Sequence, residues 1–224
     1  MHKLPLTLAA GALALAGWIG SSDNARAFAD EQAPNQSASV DAGYPKPALV
    51  PASWELGFTH GVPQRIVVEV AGMTNPQAYW YLTYTVTNAT DREQSFLPSF
   101  EMLTPDGTVL RSDQRVPSIV FDKIKEREKK TFLEPFYKTA GTLLVGEEQA
   151  KDGVAIWPET QLRKGRFSIF VEGLSGEIAE IKAADKTFIL RKTLQLNYHI
   201  RGDEVYPGED EINAAETAVQ WVMR

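Results

Sequence analysis

Ala78 to Asn88 reads AYWYLTYTVTN, and its period of two decides the fold. Successive side chains of a strand point to opposite faces, so Trp80, Leu82, Tyr84 and Val86 share one face. Tyr79, Tyr81, Thr83, Thr85 and Thr87 share the other. Aromatic and β-branched residues fill the stretch, which suits a pleated and at least half-buried surface. The Trp80 face is the predicted core face, and Asn88 to Arg92 (NATDR) is the predicted turn that ends the strand.

The same alternation extends in both directions. Upstream, Ile66, Val68 and Val70 alternate with Val67, Glu69 and Ala71. Downstream, Ser95 to Thr104 (SFLPSFEMLT) repeats it, with Pro98 marking a sheet edge or bulge because proline has no N–H to donate. Thr104 to Thr108 (TPDGT) is a tight-turn sequence. Short strands are expected over Thr131 to Phe136, Leu143 to Val145, Val154 to Trp157, Phe167 to Glu172 and Glu177 to Ile181, and a long one over Thr187 to Ile200. Pro117 to Lys130 breaks the pattern, with Ile119, Val120 and Ile124 at helical spacing, and predicts one short helix over about 118–130. Acidic Glu209 to Glu211 followed by Ile212, Ala215, Val219 and Val222 predicts a short C-terminal helix from about Asp210 to Ala218. A closing strand over Val219 to Arg224 is the alternative. Seven to nine strands without βα alternation make an all-β, antiparallel sandwich the expected class.

Composition narrows the function classes. The 224 residues carry 23 Lys and Arg against 29 Asp and Glu, a net charge of −6, with 43% hydrophobic residues and no cysteine. Without a Lys/Arg excess there is no overall electrostatic footprint for nucleic acid or anionic lipid. Without cysteine there is no disulfide, thiolate metal site or cysteine nucleophile. Met1 to Lys3 is a short positive region, Leu4 to Gly20 is almost wholly apolar, and Ala27-Phe28-Ala29 is a small-x-small cleavage site. Residues 1–29 are therefore expected to be a secretory signal peptide cleaved after Ala29, leaving no membrane span and a secreted or periplasmic chain. Its loss takes away Lys3, Arg26 and Asp23 and moves the net charge to −7. Residues 30–52, rich in Pro, Gln, Ser and Ala, are expected to form a disordered tether, and 53–224 the domain.

Chemistry-bearing motifs are few. His60 and His199, the two histidines beyond the signal, lie far apart in sequence without metal-ligand spacing. Gly173 to Glu177 (GLSGE) places Glu177 where a nucleophile elbow needs glycine. No catalytic, cofactor or metal residue is assigned. Asp203 to Glu211 holds carboxylates suited to Ca²⁺ but lacks an EF-hand register. Asn35-Gln36-Ser37 and Asn88-Ala89-Thr90 fit the N-glycosylation pattern.

The run from Tyr79 to Gly107 resembles the paired strands of immunoglobulin-like modules in bacterial exported proteins, where an aromatic-rich strand ends in an Asn-x-Thr turn and the next leads to an Asp-Gly hairpin. The resemblance implies an Ig-like sandwich that binds, spaces or scaffolds and is seldom catalytic. The expected function is thus non-enzymatic binding or scaffolding of an envelope or extracellular partner. The alternatives are a carbohydrate-binding accessory domain, or an enzyme using carboxylates with His60 or His199. Tyr79 and Tyr81 are the expected contact residues for a protein or glycan partner, with Trp157 and Tyr206 as further aromatics from loops. The competing reading has the tether or the 118–130 helix covering the two tyrosines.

Overall fold

The protein is described by a computed structural model, which covers residues 43–159, 165–183, 186–200 and 214–224. In chain order its strands begin with β1 (Gly57–His60), β2 (Gln64–Val68), β3 (Gln77–Asn88), β4 (Gln94–Phe96), β5 (Ser99–Leu103) and β6 (Val109–Arg111). Helix α1 (Ser118–Glu128), β7 (Glu134–Pro135), the four-residue α2 (Phe136–Thr139) and β8 (Gly141–Leu143) follow. The chain closes with β9 (Gly146–Pro158), β10 (Gly165–Glu172), β11 (Ile178–Ala183), β12 (Lys186–Ile200) and β13 (Ala214–Met223).

Two sheets carry the fold. In the first, β3 is central: β9 pairs with it on one side, and β1 and β2 pair with successive parts of it. The two-residue β7 adds the one parallel pairing among the described strands, to β9. In the second sheet the order is β11-β12-β10-β5-β6, with β13 also on β12. Its fifteen residues let β12 pair with β11 through one half and with β10 and β13 through the other. All the second sheet's pairings are antiparallel. The small β4–β8 ribbon stands apart from both.

The expected core face is where the two sheets meet. Trp80, Leu82, Tyr84 and Val86 pack with Phe100, Met102, Ile169, Val171, Leu196 and Tyr198 in one buried cluster. Trp80 and Trp157 face each other in register across β3 and β9. Phe167 tilts against Trp80 at 6.0 Å and stacks on Tyr198 at 5.3 Å.

The other face of the first sheet is covered as well. Val120 and Ile124 of α1 are fully buried against Ile66, Val68, Tyr79, Tyr81 and Ile156. Each such side chain contributes about 1.5–3 kcal/mol on leaving water. Arg127 Nη1 donates to the Arg65 carbonyl at 2.9 Å and ties the helix to β2. Lys129, in the left-handed region at φ 52°, closes the helix by donating its N–H to the Lys125 carbonyl. The architecture is therefore helix, sheet, sheet, and it bears out the all-β antiparallel sandwich with a short helix over about 118–130, to which the four-residue α2 is an addition.

Several expectations are corrected. Residues 214–218 are strand, not helix: β13 pairs antiparallel along the edge of β12 over Lys192 to Ile200, with one register shift between Asn197 and Tyr198, and this pairing supplies backbone partners that an isolated helix would not need. The two stretches read as a strand pair separate, with β3 in the first sheet and β5 in the second, because Pro98 breaks the chain between β4 and β5. The expected hairpin at 104–108 is present, pairing Leu103 with Val109. Within the expected tether, residues 43–52 lie against the domain: Tyr44 Oη donates to the Met223 carbonyl at 3.0 Å and Ala48 N–H to Glu177 Oε1 at 2.8 Å. Residues 1–42, which include the expected signal peptide, and 201–213, which hold Tyr206 and Asp203 to Glu211, lie outside the described residues.

Candidate functional site

The expected contact pair does not form a surface. Tyr79 is 5% exposed and Tyr81 1% exposed, beneath α1. Tyr81 Oη reaches both Gln64 Oε1 at 2.9 Å and Glu128 Oε1 at 2.8 Å, so a helix residue completes its bonding. Burial pushes the Tyr79 phenol pKa up from its ordinary value of 10.0. Trp157 ends the strand expected over Val154 to Trp157, within β9, and is fully buried there, so it is not an aromatic available from a loop. The alternation holds, but both faces of this sheet are core.

The other motifs resolve into structural roles. Asn88 is fully buried; its Nδ2 donates to the carbonyls of Arg92 and Leu143 at 2.9 Å, and its Oδ1 accepts from Thr90 N–H and Oγ1. That side chain locks the turn and is not available as a glycan acceptor. In the Gly173–Glu177 segment, Gly173 has φ +92°, and a Cβ there would sit 2.6 Å from the Leu97 carbonyl oxygen. Its Ser175 Oγ accepts from Glu177 N–H at 3.2 Å. The segment is a tight link between β10 and β11. His60 and His199 do not converge: His60 Nδ1 lies 3.3 Å from Tyr198 Oη on the core side of β12, whereas His199 alternates to the opposite side. Among the described residues, no three His, Asp or Glu side chains gather as metal ligands.

One carboxylate is chemically unusual. Asp113 lies in the loop after β6 with φ 59°, and Arg115 follows with φ 60°. The Asp113 N–H donates to the Ile156 carbonyl at 2.6 Å, holding the loop on the edge of β9. Its side chain borders a cleft of about 380 Å³ with Phe100, Arg111, Ser112, Gln114 and Phe136. Burial raises its pKa to about 7, against the lowering effect of bonds from Ser112 and Ile156. The native state thus holds a proton that the unfolded chain releases near 3.8. Stability is lost as pH rises from about 4 to about 7 and is flat above that. Asp113→Asn is expected to stabilise the protein by up to about 2 kcal/mol at pH 8, solvent screening holding it below the full linkage value, with no gain at pH 3.5. Urea unfolding at the two pH values checks this.

The remaining face, the outer side of the second sheet, carries no helix among the described residues, and its register builds a site. Arg111, Glu101, Phe170, Gln195 and Gln220 are successive cross-strand partners over β6, β5, β10, β12 and β13. With neighbouring strands about 4.8 Å apart, the row spans about 19 Å. A second row sets Leu103, Ser168, Asn197 and Ala218 beside it. The polar groups are pre-aligned. Asn197 Oδ1 accepts from Ser168 Oγ at 2.7 Å and from Gln195 Nε2 at 2.8 Å, and Gln220 Nε2 donates to Gln195 Oε1 at 3.0 Å. Glu101 holds Arg111 at 3.2 Å with one oxygen and Arg224 at 2.5 Å with the other. The Arg224 guanidinium lies 4.3 Å above the Phe170 ring. The rows run into a groove of about 590 Å³ bordered by Thr104, Arg166, Ser168, Asn197 and Thr217.

None of these residues stood out in the sequence as a site. Gln195, Asn197 and His199 were legible only as the polar face of a long strand. Their alignment with Glu101 and Phe170 comes from strand pairings between distant parts of the chain, Glu101 with Phe170 and Phe170 with Gln195, which no local pattern encodes. Compared with known proteins, the chain matches no family model, no curated protein and no solved structure.

Proposed function

We propose that this chain is an exported, non-enzymatic β-sandwich that binds an envelope or extracellular partner, and that it does so through the outer face of the second sheet. Kinship with immunoglobulin-like modules of exported proteins belongs to the same proposal. The observation that carries the reading is the cross-strand row Arg111–Glu101–Phe170–Gln195–Gln220 with the Ser168–Asn197 pair beside it. Side chains on paired strands are held by the sheet, so a ligand meets them already ordered and loses less entropy on binding. The amides and hydroxyl there bond mainly to one another and stay partly open, which leaves donor and acceptor capacity for an incoming group.

The test is crosslinking of the full chain in envelope extract, read by mass spectrometry. Gln195→Ala with Asn197→Ala is expected to cut capture of the specific partner at least about tenfold while the melting temperature changes little, since both side chains lie outside the core. Undiminished capture by the double variant would remove this face from the reading.

A further inference from the structure

The ligand class follows from the charges on this face. Resting on the reading of the outer sheet face as the binding surface, we infer that its ligand is an anionic polysaccharide, a chain of carboxylate- or sulfate-bearing sugars lying across the strands. Arg111, Arg166, Arg191 and Arg224 project from this face, by strand alternation and register, against the acids Glu101 and Glu172. The balance on this face is +2 among the described residues of β5, β6, β10, β12, β13 and Arg224, in a chain whose total is −6. Arg191 is paired with Glu172 at 3.3 Å, and Glu101 divides its oxygens between two guanidiniums. Glu101 is therefore neutralised and serves as a positioning residue. The Arg111 side chain remains 63% exposed, so its other donors can meet an anion.

A neutral glycan would favour a bare aromatic platform, but Phe170 is the one benzenoid ring on this face among the described residues, and Arg224 already covers it. What remains outward is the guanidinium, whose planar fork matches a carboxylate or sulfate. Between the arginines, the Ser168, Gln195, Asn197 and Gln220 row offers donors and acceptors suited to sugar hydroxyls. A nucleic acid fits less well, because stacking on bases also needs open rings.

The experiment measures retention of the full chain on immobilised polygalacturonate, on dextran and on a single-stranded oligonucleotide, at low and high salt. The expected result is retention on polygalacturonate alone, weakened by salt. Arg111→Gln, Arg166→Gln and Arg224→Gln combined should weaken it at least about tenfold. These side chains are exposed, so far-UV circular dichroism should be unchanged; if the triple variant misfolds, Arg111→Gln alone is read in its place. Equal retention on dextran, stronger retention on the oligonucleotide, retention unchanged by the substitutions, or no retention would each overturn the inference. Should polygalacturonate fail while Gln195→Ala with Asn197→Ala still loses its crosslinked partner, the face stands and only the ligand class falls.

Discussion

Trp80→Ala is expected to destabilise the domain by about 3–5 kcal/mol, against the roughly 5–15 kcal/mol of stability of a typical domain. Trp80 is 1% exposed, lies across from Trp157 in register, and touches the opposite sheet through Phe167. Its removal therefore opens a cavity at the junction of both sheets, where neighbours held by strand pairing on all sides cannot collapse into it. Trp80→Phe should cost markedly less. The buried indole N–H groups of Trp80 and Trp157 have no hydrogen-bond partner among the described residues, so the ring swap forfeits volume but none of the described hydrogen bonds. Urea unfolding followed by far-UV circular dichroism gives both values. A loss below about 1 kcal/mol for the alanine variant would mean that the indole does not anchor the core.

Lys192→Ala is the second large effect, about 3–5 kcal/mol. Lys192 is 2% exposed, contacts Glu55 closely, bonds Glu177 Oε2 at 3.1 Å, and lies 5.1 Å over the Trp221 ring. Burial alone would pull its pKa down, but the bonds to Glu55 and Glu177 outweigh that and hold the ammonium above its ordinary value. Glu177 is held below 4.5, first by the Ala48 N–H and then by Lys192. The Glu177 contribution is present above pH 4.5 and lost as pH falls through its depressed native pKa. The Lys192 contribution is intact below 10.5 and lost as pH rises beyond its raised native pKa. Removing the lysine leaves two carboxylates facing each other without a counter-charge. Lys192→Met combined with Glu55→Gln and Glu177→Gln should recover most of the loss at pH 7, because no unpaired charge remains and the amide introduced at position 177 keeps an acceptor for the Ala48 N–H. Chemical unfolding of the single and triple variants checks it. Equal losses would show that the charged bonds of Lys192 to Glu55 and Glu177 themselves, not the cost of leaving two carboxylates unpaired, hold this corner together.

The sequence was most informative where the chain itself sets the constraint. Alternation in β3 identified Trp80, Leu82, Tyr84 and Val86 as core, and helical spacing located α1 to within two residues at its C-terminal end. It was least informative where a second element decides. Tyr79 and Tyr81 lie on a face that periodicity separates from the core face, yet nothing in a period of two says whether that face is wet. The spacing of Ala215, Val219 and Val222 fits a helix in isolation, but the open edge of β12 takes the segment as strand. The candidate site was hidden for the same reason. Glu101, Phe170 and Gln195 are ordinary surface residues until three strands are placed side by side.

The pairing of β3 with β9 bears on when the fold can form. Its partners stand 58 to 79 positions apart, from Asn88 with Gly146 to Tyr79 with Pro158. Such contacts form only after long loops have closed, which places folding toward the slow end for domains of this size. While the ribosome is still delivering β4 through β8, the Trp80 strand has β1 and β2 beside it but neither its central partner nor the opposing sheet. A chain built this way has little to fold onto early, and that delay suits the proposed export, in which a polypeptide crosses a membrane before its core closes.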